Sequence, residues 1–132
     1  MLTIFQKLNL KDQKQILVIN APESFEGELA SLQDVEIKRH LVEVTEIDFA
    51  LVFVTRKAEI DELSPQLVAK ARGDVILWFV YPKGTSKKFK ADFNRDNGWD
   101  VIAAAGYQPV RMVAIDEDWS ALRYRCSVYV KR

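Results

Sequence analysis

DVILWFVYPK, residues 74–83, is the stretch that decides the fold of this chain. Its run from Val75 to Tyr81 is wholly apolar or aromatic and is bounded by Gly73 and Pro82. The run is too short for an ordinary helix, and its β-branched and aromatic residues are typical of a strand buried on both faces. Because such a strand needs packing partners on both sides, it predicts a mostly parallel sheet with helices on each face.

The order of the other apolar segments predicts the rest of the sheet. Segments with helical spacing separate the apolar runs, and the final strand is expected at the end of the sheet because Arg123 and Arg125 give it a polar face. The fold class is therefore α/β: a three-layer Rossmann-like, mostly parallel sheet with helices on both faces and a C-terminal antiparallel hairpin. The predicted strands span residues 16–19, 35–44, 49–54, 75–81, 109–115 and 119–130, and the predicted helices span 23–32, 56–72 and 98–106.

Length and composition favour one domain, residues 1–132, in the cytoplasm. A chain of 132 residues with 48% hydrophobic content is long enough to fold without disulfides. Its one cysteine, Cys126, cannot form an internal disulfide, and charges interrupt the first residues where a signal peptide needs an apolar stretch. No apolar run approaches the roughly 20 residues of a membrane helix, so we expect no membrane association.

The charges balance over the whole chain but are separated along it. Nineteen basic and nineteen acidic residues argue against general nucleic-acid binding, which needs a basic surplus. Residues 23–62 contain eleven acidic and four basic residues, whereas residues 82–98 contain five basic and two acidic ones. The separation indicates either solvated helix faces with a lysine-rich loop or a basic site.

The order of elements resembles that of class I S-adenosylmethionine-dependent methyltransferases. Residues 48–52 (DFALV) look like their fourth strand, residues 72–79 resemble the turn into their fifth, and residues 104–107 (AAGY) resemble the helix end before their sixth. Those enzymes have a glycine-rich turn after the first strand, but residues 20–24 (NAPES) contain no glycine, and Pro22 lacks a backbone donor. Only one strand fits between the first helix and Phe49, where the enzymes have two, so the acid that holds the cofactor ribose has no clear counterpart.

A second set of short segments is spread over almost the whole chain: residues 20–22 (NAP), 78–83 (WFVYPK), Asp92, 95–96 (RD), 113–116 (VAID) and 119–123 (WSALR). On these segments the chain resembles a small group of uncharacterised bacterial proteins of about this length. That resemblance supports a methyltransferase-like fold without the glycine-rich cofactor motif, and it implies no activity.

One cleft at the carboxyl ends of the strands is the candidate site. In an open α/β sheet, ligands bind beyond those ends. Cations in that position favour an anion, so we expect a pocket for a phosphate- or carboxylate-bearing ligand, with ordinary loop polarity as the alternative. The residues expected to converge there are Asn20, Arg56, Tyr81, Lys83 and Arg95.

The long loop of residues 82–97 is expected to shape that cleft. Its two aromatic residues, Phe89 and Phe93, need burial and should pin the loop, so that Lys83 and Arg95 face the cleft. Asp96 or Asn97 is expected to cap the following helix.

The sequence contains no catalytic motif. One histidine, His40, and one cysteine cannot supply a zinc site, and the three acids of residues 116–118 are expected to form a solvated turn. The cofactor is therefore left open. Two functions remain: a non-catalytic domain of methyltransferase-like fold that binds a small anionic ligand or a protein partner, or alternatively a divergent S-adenosylmethionine-dependent methyltransferase.

Overall fold

The structure, a computed structural model, describes residues 3–130. Its centre is a six-stranded sheet in the order β2-β1-β3-β4-β6-β5. β1 to β4 are parallel, whereas β6 is antiparallel to both β4 and β5. The predicted parallel sheet with a C-terminal antiparallel hairpin is thereby confirmed. The strands are β1 (Gln15–Ile19), β2 (Glu36–Lys38), β3 (Ile47–Phe53), β4 (Ala71–Pro82), β5 (Tyr107–Ala114) and β6 (Trp119–Cys126).

Helices cover both faces of the sheet. They are α1 (Ile4–Lys7), α2 (Glu26–Ala30), α3 (Lys57–Lys70) and α4 (Asp100–Ala104). Phe5 of α1 and Leu29 of α2 pack on one face, in the same buried cluster as Trp78. Ile60 of α3 and Ile102 of α4 pack on the other face. The three layers are therefore those predicted from the buried strand. In the part of the chain that the structure describes, no helix is long and apolar enough to cross a lipid bilayer.

β4 is the interior strand that the sequence predicts. It lies between β3 and β6, and Trp78 and Phe79 have no exposed surface. The Trp78 indole N–H donates to the carbonyl of Leu8, 2.8 Å away, so its polar atom is paired inside the core. A side chain the size of Phe79 contributes about 1.5–3 kcal/mol to folding when it is fully buried.

The strand predicted over residues 35–44 is mostly wrong, because only the three residues of β2 pair with β1. Glu43 ends the strand. Its carboxylate accepts hydrogen bonds from the backbone N–H groups of Arg39 and His40, each 3.0 Å away, and a single 3-10 turn follows at Leu41–Glu43. Side-chain bonds of this kind compete with the strand ladder for backbone donors.

The position predicted for the last strand is also wrong. β6 lies between β4 and β5, so β5 is the edge strand. β6 begins with four buried residues, Trp119 to Leu122, which shows that this part of the strand is covered on both faces. The strand also ends at Cys126 and is followed by a 3-10 turn, Ser127–Tyr129.

Candidate functional site

A cavity of about 420 Å³ opens beyond the carboxyl end of β4, between the loop of residues 83–99 and the β5–β6 hairpin. Tyr81, near the end of β4, lines it beside Ser120, its partner on β6. We call the loop of residues 83–99 the basic loop, and it contributes the cations of the cavity. We call the cavity the β4 groove and define it by Tyr81, Lys83, Lys90, Asn94, Arg95 and Ser120.

Aromatic packing holds the basic loop against the sheet. The ring of Phe93 lies 5.7 Å from that of Tyr81 and 5.4 Å from that of Trp99, measured between centroids. The Phe93 residue is 9% exposed. Phe89 packs elsewhere, with its ring centroid 4.8 Å from that of Trp119. Both phenylalanines therefore pin the loop as the sequence predicts, and the groove has a rigid aromatic base.

Hydrogen bonds fasten the start of the basic loop to the turn between β5 and β6. The Lys83 N–H donates to the carbonyl of Asp118, 2.8 Å away. The buried Ser86 hydroxyl donates to the Asp118 carboxylate at 2.9 Å and accepts the Phe89 N–H at 3.1 Å. Asp118, predicted to lie in a solvated turn, therefore positions the loop.

Asp92 fastens the middle of the basic loop to α3. Its carboxylate accepts the N–H of Lys57, the first residue of α3, at 2.7 Å. Its own N–H donates to the carbonyl of Thr55 at 3.3 Å. A carboxylate in that position satisfies one of the free N–H groups of the helix start and interacts favourably with the helix dipole.

The cap predicted for the helix after the loop is wrong. α4 starts after Trp99, and no side chain caps it. Asn94 orders this segment instead. Its side-chain oxygen accepts the N–H groups of Asp96 and Asn97 at 2.8 and 3.0 Å, and its carbonyl accepts the Trp99 indole N–H at 2.8 Å. The side chain that orders this segment is therefore Asn94, two residues before Asp96, the first of the two predicted capping residues.

The groove is rich in positive charge. Within residues 3–130, Lys83 forms no ion pair, and Arg95 has one weak contact, 3.6 Å from its Nε to the Asp96 carboxylate. The ammonium group of Lys90 donates to the carbonyl of Ser86 at 3.0 Å. Burial raises the pKa of the Tyr81 phenol, against a smaller lowering by Arg95, so its hydroxyl remains neutral near pH 7.

The structure brings together three of the five residues that the sequence singled out. Tyr81, Lys83 and Arg95 line the β4 groove, whereas Asn20 and Arg56 do not. Asn20 is exposed after β1, and Arg56 is exposed just before α3. The groove opens toward β6, and each intervening strand adds about 4.8 Å, so the ends of β3 and β1 lie progressively farther from it.

Lys90, Asn94 and Ser120 also line the groove and are not among the residues predicted from the sequence. Ser120 reaches the groove because β6 pairs with β4, a neighbour relation that the hydrophobic pattern does not contain. Asn94 could have been predicted from its position, because it directly follows Phe93, whose burial holds this part of the loop against the groove.

The carboxyl ends of β1 and β2 form a different environment, which we call the β1 turn (residues 20–26 with residues 39–43). Asn20 takes a left-handed conformation, φ 58°, in a turn without glycine. Arg39 follows β2 and donates to both carboxylate oxygens of Glu26, at 2.8 and 2.9 Å. These hydrogen bonds lower the pKa of the Glu26 carboxyl. The charged side chains of Glu26, Arg39 and Glu43 are therefore all engaged within this turn.

Solved structures share the fold over most of the chain. The N-methyltransferase NodS from Bradyrhizobium japonicum WM9 is similar with a TM-score of 0.56 and 12% identity, over 93% of this chain and 92% of that one. An S-adenosylmethionine-dependent methyltransferase from Aquifex aeolicus gives 0.58 and 14%, over 93% and 87%. The Methanococcus jannaschii pre-rRNA processing protein fibrillarin gives 0.56 and 11%, over 89% and 68%. No protein-family model and no curated protein matches the sequence.

The chain therefore has the class I S-adenosylmethionine-dependent methyltransferase fold, which confirms the resemblance seen in its sequence. The β1 turn does not fit that cofactor. It lacks the glycines that let a backbone approach the cofactor, and Pro22 removes a donor. After β2 stands Arg39, bound to Glu26, and the carboxylate of Glu43 accepts hydrogen bonds from the backbone N–H groups of Arg39 and His40.

Proposed function

We propose that this chain is a cytoplasmic domain of methyltransferase-like fold that binds a small phosphate- or carboxylate-bearing molecule in the β4 groove, without catalysis. The observation that carries the proposal is the set of three cations, Lys83, Lys90 and Arg95, around one cavity. Within residues 3–130, Arg95 is the only one of the three in an ion pair, and its single contact with a carboxylate is 3.6 Å long. A protein partner could bind in the same way, by placing the carboxylates of an acidic segment in the groove.

The groove has suitable size and donors for such a ligand. Its volume of about 420 Å³ falls in the range of small-molecule sites, roughly 300–1,000 Å³. The guanidinium of Arg95 can donate two parallel hydrogen bonds to a phosphate or carboxylate, and such charge-assisted bonds are about twice as strong as neutral ones. The neutral Tyr81 hydroxyl and the Asn94 amide supply further donors without adding charge.

Titration of the ¹⁵N-labelled chain with inorganic phosphate tests the proposal. The amide resonances of residues 83–95 should shift in a saturable manner. Replacing Lys83 and Arg95 together by Met should remove these shifts, because it removes two of the three cations. Replacing Lys87 and Lys88 by Met is the matched control, since both are exposed, lie in the same loop and do not line the groove. If the two double variants behave alike, the groove has no selective anion site.

The second candidate is a divergent S-adenosylmethionine-dependent methyltransferase. The fold comparisons favour this candidate over a non-catalytic role, because methyltransferases are similar to almost the whole chain. Calorimetric titration with S-adenosylmethionine separates the two. Binding in the micromolar range would overturn the non-catalytic proposal, and no heat at millimolar ligand would count against the enzyme.

A further inference from the structure

Two arginines face each other on the side of the sheet opposite the β4 groove. Arg111 of β5 and Arg123 of β6 are direct cross-strand partners, and Arg123 is in turn the partner of Trp78 on β4. Residues in register on neighbouring strands share a face. Trp78 belongs to the buried cluster that contains Phe5 of α1, whereas Tyr81 belongs to the cluster of the other face. The arginine pair therefore lies beside α1, apart from the groove.

The charges of this pair are not compensated within residues 3–130. Neither arginine forms an ion pair there, whereas the nearby Arg125 binds the Asp74 carboxylate at 2.9 Å. The Nε atom of Arg123 is buried without a hydrogen-bond partner. Arg111 has one weak contact, 3.4 Å from its guanidinium to the side-chain oxygen of Asn9. Like charges directly opposite each other on a sheet are destabilising.

The electrostatic cost is concentrated on Arg123. Burial lowers the pKa of its guanidinium, and Arg125 and Arg111 lower it further, against the opposing influence of Asp74. A half-buried cation with two neighbouring cations and, within residues 3–130, no carboxylate bound to it is a position where an anion would gain charge pairing, with hydrogen bonds from the terminal nitrogens of the guanidinium.

We propose that Arg111 and Arg123 bind a phosphate group between them. Each guanidinium presents a planar fork of N–H donors that matches a pair of phosphate oxygens. One bidentate fork uses both oxygens of a carboxylate, whereas a phosphate has further oxygens that can accept from the second fork. The charge of a phosphate dianion also balances that of the two arginines. The phosphate belongs either to the free ion or to a phosphate monoester.

Two measurements on the full chain test the site, both in the Lys83→Met, Arg95→Met background so that the groove does not contribute. The first is the amide shift of residues 111 and 123 on titration with inorganic phosphate. We expect saturable shifts, and we expect Arg111→Gln to raise the dissociation constant for phosphate at least fivefold. The second is the melting temperature without phosphate, which Arg111→Gln should raise because it removes the repulsion between the two cations.

Lys87→Gln is the control, since it makes the same charge change at an exposed position of the basic loop. If Arg111→Gln and Lys87→Gln titrate alike, or if phosphate shifts neither residue 111 nor residue 123, the proposal fails. Arg111 is exposed, so its variant should fold even where Arg123→Gln does not. Parallel titration with glycerol phosphate identifies the source: tighter binding than inorganic phosphate indicates a monoester, and equal binding indicates the free ion.

Discussion

The two halves of the sheet's carboxyl edge are built on different principles. At the β1 turn, Arg39 and Glu26 pair with each other, and Glu43 binds backbone N–H groups. At the β4 groove, aromatic packing and hydrogen bonds of Asp92 and Asn94 fix the loop, and the cations are left facing a cavity. Polar groups that satisfy one another have little left to offer a ligand. The capacity of this edge to bind a ligand therefore depends on whether its charged groups are already paired, more than on how many polar residues it carries.

The largest expected effect comes from the aromatic base of the groove. Trp99 is 7% exposed and lies 5.4 Å from Phe79 and 5.2 Å from Tyr124, centroid to centroid. Trp99→Ala should lower the free energy of unfolding by about 3 to 5 kcal/mol, because it leaves a large cavity. In the β1 turn, Arg39→Ala should cost at most about 1 kcal/mol, since exposed ion pairs contribute little. Urea denaturation measures both, and similar losses would abolish the distinction.

A glycine in each half gives a second, smaller contrast. Gly98 has φ +102°, and a Cβ added there would lie 2.8 Å from the Cβ of Phe93. Gly98→Ala should therefore destabilise the protein by about 1 to 2 kcal/mol or more, from strain and from displacement of the ring that pins the basic loop.

Gly27 in α2 has no atom within 4 Å of such a Cβ. Gly27→Ala should stabilise the protein by about 0.5 to 1 kcal/mol, because alanine loses less conformational freedom in a helix. Thermal melts of the two variants should move in opposite directions. A shift of the same sign in both would mean that Phe93 does not fix the loop.

The smallest expected effect is the pH dependence of the β1 turn. The hydrogen bonds from Arg39 lower the pKa of Glu26 below its ordinary value of 4.5. A carboxyl with a lowered pKa stabilises the folded state above that value, and the contribution is lost as the pH falls through the lower pKa of the folded state. The melting temperature of wild type should therefore exceed that of Glu26→Gln at pH 7, and the difference should vanish in acid.

Glu28→Gln is the matched control for that measurement. Glu28 lies in the same helix and forms no ion pair within residues 3–130, so its replacement should produce no comparable difference between the two pH values. An equal pH dependence in both variants would assign the effect to the net charge of α2 and not to the Arg39–Glu26 pair.

The sequence was sufficient for the parallel core of the fold. The apolar runs of β1, β3 and β4 predict strands buried on both faces, because the distribution of apolar residues along a chain indicates which residues are buried. The end of β2 was not predictable in this way, because it depends on hydrogen bonds from the backbone to the Glu43 side chain, which the hydrophobic pattern does not indicate. The position of β6 also escaped prediction, because it follows from strand pairing and not from any local property of β6.

The candidate site was predictable to the extent that it lies along one segment of chain. Tyr81, Lys83 and Arg95 stand at or after the end of the central strand, where the topology of α/β sheets places ligands. Ser120 enters the groove only through its register with Tyr81. The prediction for Asn20 and Arg56 assumes that the carboxyl ends of β1, β3 and β4 share one cleft. The groove in fact opens toward β6 and away from β1.

The edges of the sheet have a consequence for association between copies of the chain. An exposed strand edge is a template on which another strand can pair, and short strands, prolines, bulges and charges suppress such pairing. β2 ends after three residues. β5 is longer, but Pro109, a break in register and Arg111 follow one another along it. The β2 edge is thus too short, and the β5 edge too irregular and charged, to pair readily with a further strand. Both features oppose edge-to-edge aggregation of this open sheet.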